Sequence, residues 1–170
     1  DVGTVCLVQD ETKFTTLPPL RRMWMRRGSQ VRVPTPQQND HVYSYGALNL
    51  ATGEWQDHFS PQANSDATIK FLDHLLNQYP QQRIRLIWDQ ASYHTSKKVQ
   101  RWLHRHPRIT AYFLPKYAPE LNPVEHIWRV VKQRVAANVT RTLSAIQDAY
   151  RSFFAQQSSD ALLQSAGLGC

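Results

Sequence analysis

At 170 residues the chain is long enough for one domain with a substantial core, and 41% apolar residues with eighteen aromatics exclude a disordered polypeptide. Twenty Lys and Arg against thirteen Asp and Glu give a net charge of +7, which favours a polyanionic partner, most simply nucleic acid. Two cysteines, Cys6 and Cys170, make neither a disulfide framework nor a zinc cluster, and no apolar run approaches the ~20 residues of a membrane span, so a reducing, intracellular, non-membrane setting is expected.

The chain starts at Asp1 and passes almost at once into TVCLVQD, Thr4–Asp10, a β-branched and apolar run of the buried-strand kind that closes on Asp10 and Glu11. Residues 17–40 differ: Arg21, Arg22, Arg26, Arg27 and Arg32 surround Trp24, and four prolines with Gly28 rule out one long helix. A basic, aromatic-bearing excursion of this length is a candidate nucleic-acid contact; the bland alternative is a solvated loop with Trp24 turned into the core. His41–Leu50 and Glu54–Ser60 are expected as antiparallel strands closed by Ala51, Thr52 and Gly53. From Asp66 the period becomes helical, with Ile69, Leu72, Leu75, Leu76 and Tyr79 on one face and Ser65 as the expected cap.

Arg83–Trp88 is a second buried strand, followed by Asp89. Gln90–His94 turn into a short basic helix over 96–104, bearing Lys97, Lys98 and Arg101, and Ile109–Leu114 is the next strand. Pro115, Pro119 and Pro123 fall within nine residues, so this stretch, with Lys116, cannot be regular structure. Beyond Pro123 the pattern is helical, with Val124, Ile127, Trp128, Val131 and Val135 on the apolar face and Arg129 and Lys132 outside it. Asn122 suits the N-cap, Pro123 the first helical position and Glu125 the third, reaching back toward the cap. A last amphipathic helix through Leu143, Ile146, Tyr150, Phe153 and Phe154 completes one domain, 1–157, and leaves 158–170 as a tail.

Strand–helix–strand crossovers make parallel neighbours, so the first, fourth and fifth strands are expected to be parallel with the hairpin antiparallel beside them. Asp10 and Asp89 would then close strands at the sheet edge where open α/β sheets bind ligands, and the loop after the fifth strand would bring Glu125 to the same edge. Glu125 has two readings, a capping-box residue or a third ligand. Three carboxylates without a Cys or His cluster point to Mg²⁺ or Mn²⁺, and two such ions could activate an attacking oxygen and stabilise the leaving one in phosphoryl displacement. His94 is a candidate hydrogen-bond donor to the site or a structural histidine. Glu11 should face the other way from Asp10 and act in support. Ser92, Tyr93 and Tyr117 are conceivable nucleophiles without an evident base, and His104 and His106 are expected to be solvated.

The segments QDE at Asp10, RLIWDQASYH at Asp89 and LPKYAPELNPVEHIW at Glu125 resemble the catalytic domain of DDE transposases, in the bacterial insertion-sequence branch of the mariner-like superfamily. Thirty-five residues separate Asp89 from Glu125, a spacing that suits that family, and Trp24 with its basic flank and Gly28 resembles the family's segment after the first strand. The resemblance implies an RNase H-like α/β fold: a five-stranded mixed sheet, three parallel strands plus an antiparallel hairpin, flanked by helices. It implies Asp10, Asp89 and Glu125 as ligands of two Mg²⁺ or Mn²⁺ ions, phosphodiester hydrolysis at an element end, and transfer of the 3′-OH to target DNA at a TA step. It further implies a homodimer in the DNA complex and a bacterial cytoplasmic, nucleoid-associated setting. Gln90 stands where the family usually has Asn, and the family's N-terminal DNA-reading helices have no counterpart here. A structure-selective nuclease of the same fold, or a DNA-binding remnant with a dead site, are the rival readings.

Overall fold

The computed structural model describes residues 3–17, 27–28, 39–136 and 142–169. Strands β1 (Thr4–Thr15), β2 (His41–Asn49), β3 (Trp55–Ser60), β4 (Arg83–Trp88) and β5 (Ile109–Phe113) form one sheet in the order β3-β2-β1-β4-β5. β1 pairs parallel with β4, and β4 with β5, whereas β2 is antiparallel to both β1 and β3. This is the expected mixed sheet of three parallel strands and a hairpin.

Helices α1 (Ser65–Gln78) and α2 (Lys97–Arg105) cover one face, and α3 (Val124–Ala136), α4 (Leu143–Ala155) and α5 (Ser159–Ser165) cover the other. The pleat of β1 feeds both layers. Leu7 joins Phe71, Leu72, Leu75 and Val99 on the first face, and Val8 and Phe14 join Ile127, Trp128, Val131 and Tyr150 on the second. β4 alternates in the same way: Ile84, Leu86 and Trp88 are buried while Arg83 and Arg85 are exposed.

Gly46 in β2 sets how closely the second layer approaches. A Cβ there would lie 2.3 Å from the Trp55 ring and 2.7 Å from Trp128 of α3. Trp55 and Trp128 meet edge to face over this gap, with centroids 5.1 Å apart at 82°. Gly46 is also the β-partner of Asp10. The missing side chain thus seats α3, one turn after Glu125, beside the Asp10 row.

The structure differs from the sequence reading in three places. β1 does not close at Asp10: its pairing with β4 ends at Val8↔Ile87, but its pairing with β2 continues to Thr15↔His41. The cap of α1 is Asn64, whose side chain accepts from Ala67 N, and Ser65 begins the helix. The segment expected as a tail contains α5, capped by Ser158, with Leu162 and Ala166 buried against the α3–α4 core. The Cys170 and Trp24 expectations, with those for Arg21, Arg22, Arg26 and Arg32, lie outside the described residues.

Candidate active site

Asp10 comes from the middle of β1, just beyond the last β4 pair, where one flank of the strand is free. Asp89 follows β4, and Glu125 opens α3. All three line one cleft of about 400 Å³, closed on its far side by Leu114–Pro119 and Asn122. Burial, followed by the charges of Glu11 and Glu125 and, more weakly, Asp89, pushes the Asp10 carboxyl up to about 8. No lysine or arginine among the described residues is ion-paired with any of the three acids.

The capping account of Glu125 fails on its hydrogen bonds. The Asn122 side chain does cap the helix, accepting from Val124 N at 3.1 Å, but the Asn122 N–H donates to Pro119 O at 2.9 Å. The donor a capping-box glutamate would take is already used, and the Glu125 side chain is exposed toward the cleft. The Asn122 amide also donates to Gln9 O at 3.2 Å, which ties the start of α3 to β1.

His94 occupies the underside of this corner and is fully buried. Its Nδ1 lies 2.8 Å from Asp89 Oδ1 and its Nε2 lies 2.8 Å from Glu11 Oε1, and the ring stacks on Trp88 at 4.3 Å. Burial alone would lower the His94 pKa, but Glu11 and Asp89 outweigh it through charge and hydrogen bonds and bring it to about 9. Both ring nitrogens therefore donate at neutral pH. The same hydrogen bond holds the Asp89 carboxyl below the usual carboxylate range, with help from Ala91 N. Glu11 lies on the opposite face of β1 from Asp10, as the alternation requires, and reaches Asp89 only through His94.

Other expected positions are scattered. Gln90 donates from Nε2 to Leu114 O at 2.9 Å, pinning the β4 end to the proline-rich segment. Lys116 lines the cleft, Arg27, Lys97, Arg101, Arg129 and Lys132 are exposed, and Lys98 is ion-paired with Asp66. His104 is exposed, and the partly exposed His106 follows α2 as its C-cap and stacks on Trp102 at 3.8 Å. Tyr93 OH donates to Glu11 Oε2 at 3.5 Å and does not line the cleft. Sequence reasoning missed the lining contributed by Pro115, Ala118 and Pro119, and only the proline spacing signalled a wall there.

An ion is the simplest partner for such a cleft. The donors are carboxylate oxygens, neither Cys nor His lines it, and burial first, then the neighbouring like charges, raises Asp10. The donor set fits a hard divalent cation. Among the described residues, however, no group of three or more His, Cys, Asp or Glu side chains is disposed as a finished metal cage. The three acids share a cleft, and rotation about their side-chain torsions is needed to bring them onto one ion.

Comparison with known proteins agrees with this layout. The DDE superfamily endonuclease family matches residues 5–147. A 39 kDa protein of the insertion element IS630 from Shigella sonnei is 32% identical over 131 residues, covering 76% of this chain and 38% of that protein. Among solved structures, the Mos1 strand transfer complex superposes with a TM-score of 0.69 at 14% identity, covering 95% of this chain and 50% of the other. The Mos1 mariner paired-end complex with Mn gives 0.67 at 16% identity, covering 95% and 51%. At these identities the structural likeness speaks for the fold, which is RNase H-like, and the chain spans well under half of its insertion-element relative.

Proposed function

The chain belongs to the DDE superfamily endonucleases, and from that membership we propose that it is the catalytic domain of a cut-and-paste DNA transposase. The observation that carries the proposal is the single cleft into which β1, β4 and α3 deliver Asp10, Asp89 and Glu125, with Asp10 under the influence of the other acids. Asp10, Asp89 and Glu125 would be the residues that hold divalent metal, two Mg²⁺ or Mn²⁺ ions in this reading. Metal bound there would supply activation of an attacking oxygen and charge neutralisation on a leaving oxygen in phosphoryl displacement.

The protein's own contribution is orientation. His94 fixes the Asp89 carboxylate from below while Glu11 holds His94. Asn122 locks the first turn of α3 to β1 and so sets the height of Glu125 over Asp10. Lys116 on the wall and the exposed cations of α2 and α3 meet the DNA backbone, positioning it without reading its sequence. The partner is DNA, at element ends and at a TA target, within a homodimeric complex. The likeness of fold to the Mos1 strand transfer and paired-end complexes supports DNA as the partner.

The test is nicking of supercoiled plasmid. Mg²⁺ or Mn²⁺ should support it, Ca²⁺ should allow binding with little turnover, and Glu125→Ala should abolish it with the fold intact. Equal nicking by wild type and Glu125→Ala would return Glu125 to a structural role and remove the mechanism.

A further inference from the structure

The wall opposite Asp10 carries one residue that neither packing nor the proposed chemistry accounts for. Tyr117 is 98% exposed, and its backbone is left-handed, with φ of 59°, the sole non-glycine positive φ among the described residues. A bulky side chain is disfavoured there, because Cβ crowds the following carbonyl. Nothing nearby rewards the strain, since the ring is almost entirely in water. The flanking segment is nevertheless tied at both ends to the strands of the site. Leu114 N donates to Trp88 O at 2.8 Å, Gln90 holds Leu114 O, and Asn122 holds Gln9 O. Pro115 and Pro119 restrict what lies between. A fixed loop thus presents a flat aromatic face at the lip of the cleft lined by Asp10, Asp89 and Glu125, next to the cleft-lining cation Lys116.

We infer that Tyr117 is a stacking platform for an unpaired nucleobase next to the phosphodiester held at the three carboxylates, with Lys116 on the neighbouring phosphate. The inference rests on the DNA-cleaving reading of that cleft. A nucleobase fits better than an aliphatic partner. Phe113 and Leu121 on the same segment are 41% and 53% exposed, whereas the Tyr117 ring is presented almost whole, and a phosphate-seeking lysine stands beside it. A single π-face needs only a single flat ligand. Stacking also tolerates any base.

Binding separates this inference from catalysis. Fluorescence anisotropy in Ca²⁺ compares a short duplex ending in unpaired adenines with the same duplex fully paired, for wild type, Tyr117→Phe and Tyr117→Ala. Wild type and Tyr117→Phe should prefer the unpaired end about five- to a hundredfold, and Tyr117→Ala should lose that preference while binding the paired duplex unchanged. Tyr117→Gly should lose the preference too and melt about 2–4 °C higher, because the left-handed strain is gone. A preference that survives Tyr117→Ala would overturn the inference. So would its loss in Tyr117→Phe, which would indicate a hydroxyl contact in place of stacking. Glu125-dependent nicking with a Tyr117-independent preference sinks the platform alone. A Tyr117-dependent preference in a chain that does not nick sinks the catalytic reading alone.

Discussion

Asp10 and Asp57 lie in one cross-strand row, on either side of Gly46, and burial raises the pKa of both, to about 8 and about 6. Their surroundings then diverge. Around Asp57 the burial is opposed by Arg151 and by a hydrogen bond from Tyr150, whose hydroxyl accepts in turn from Ser44 and Trp55, each at 3.1 Å. Around Asp10 the next contributions are the like charges of Glu11 and Glu125. A buried acid with donors supplied by its own protein is complete. One crowded by other acids, at the mouth of a cleft, is arranged for something that arrives from solution. The raised value alone does not distinguish the two; the cause of the raising does.

The largest test of that contrast is catalytic. Asp10→Asn should reduce metal-dependent plasmid nicking to background, whereas Asp57→Asn should leave it at the wild-type rate. Loss in both would mean that the whole row, not the cleft, governs activity.

A second test concerns the underside of the cleft. His94→Ala strips Glu11, whose side chain is 5% exposed, of its cationic partner, whereas the half-exposed Asp89 falls back on water. The cost in urea unfolding should be about 3–5 kcal/mol, the penalty for a buried charge left alone. Adding Glu11→Gln should recover part of it, since the uncompensated charge goes. A single-variant cost below about 1 kcal/mol would show that water already reaches Glu11.

These residues also mark how far the sequence could be read. Strand and helix periods located most elements; the strand ends and the QDE segment singled out Asp10, and the 35-residue spacing with the NPVE–W segment singled out Asp89 and Glu125. What was illegible depended on partners distant in the chain. β1 continues past Asp10 because β2 still pairs with it, which no local pattern in Thr4–Thr15 announces. The Glu11–His94 contact spans 83 residues and follows from the pleat of β1 and the stacking of His94 on Trp88. α5 is short and its sequence unremarkable; its burial comes from the surface that α3 and α4 offer Leu162. Asp57 carried no signal, because its partner Tyr150 lies on a helix far along the chain.

Asp57 gives a smaller effect with a definite sign in pH. Its pKa is higher folded than unfolded, so the native state binds the proton more tightly between about pH 4 and pH 6, and this group's contribution to stability falls as pH rises through that window. Above pH 6 the penalty is fully present. Allowing for its partial exposure, Asp57→Asn should gain about 1–2 kcal/mol on wild type at pH 7.5 and close to nothing at pH 4. Urea midpoints at the two pH values read this directly. A gap that does not change with pH would mean that Tyr150 and Arg151 compensate the charge in full.

The smallest expected effect is the most informative about Glu125. If Glu125 served the helix start, its removal would cost as much as losing a cap, about 0.5–2 kcal/mol. The structure gives that duty to Asn122, which is 3% exposed and bonded both to Val124 N and to Gln9 O, and it commits the Asn122 N–H to Pro119. Asn122→Ala should therefore cost about 1–2 kcal/mol or more, because the freed Gln9 carbonyl and Val124 amide stay buried. Glu125→Ala should change stability by less than about 0.5 kcal/mol, the range for an exposed side chain without a structural partner. It should still abolish nicking, and that separation is what distinguishes a residue kept for chemistry from one kept for the fold. A Glu125→Ala cost near that of Asn122→Ala would put the carboxylate back on the helix cap, and the contrast between Asp10 and Asp57 would then rest on two acids in the cleft instead of three.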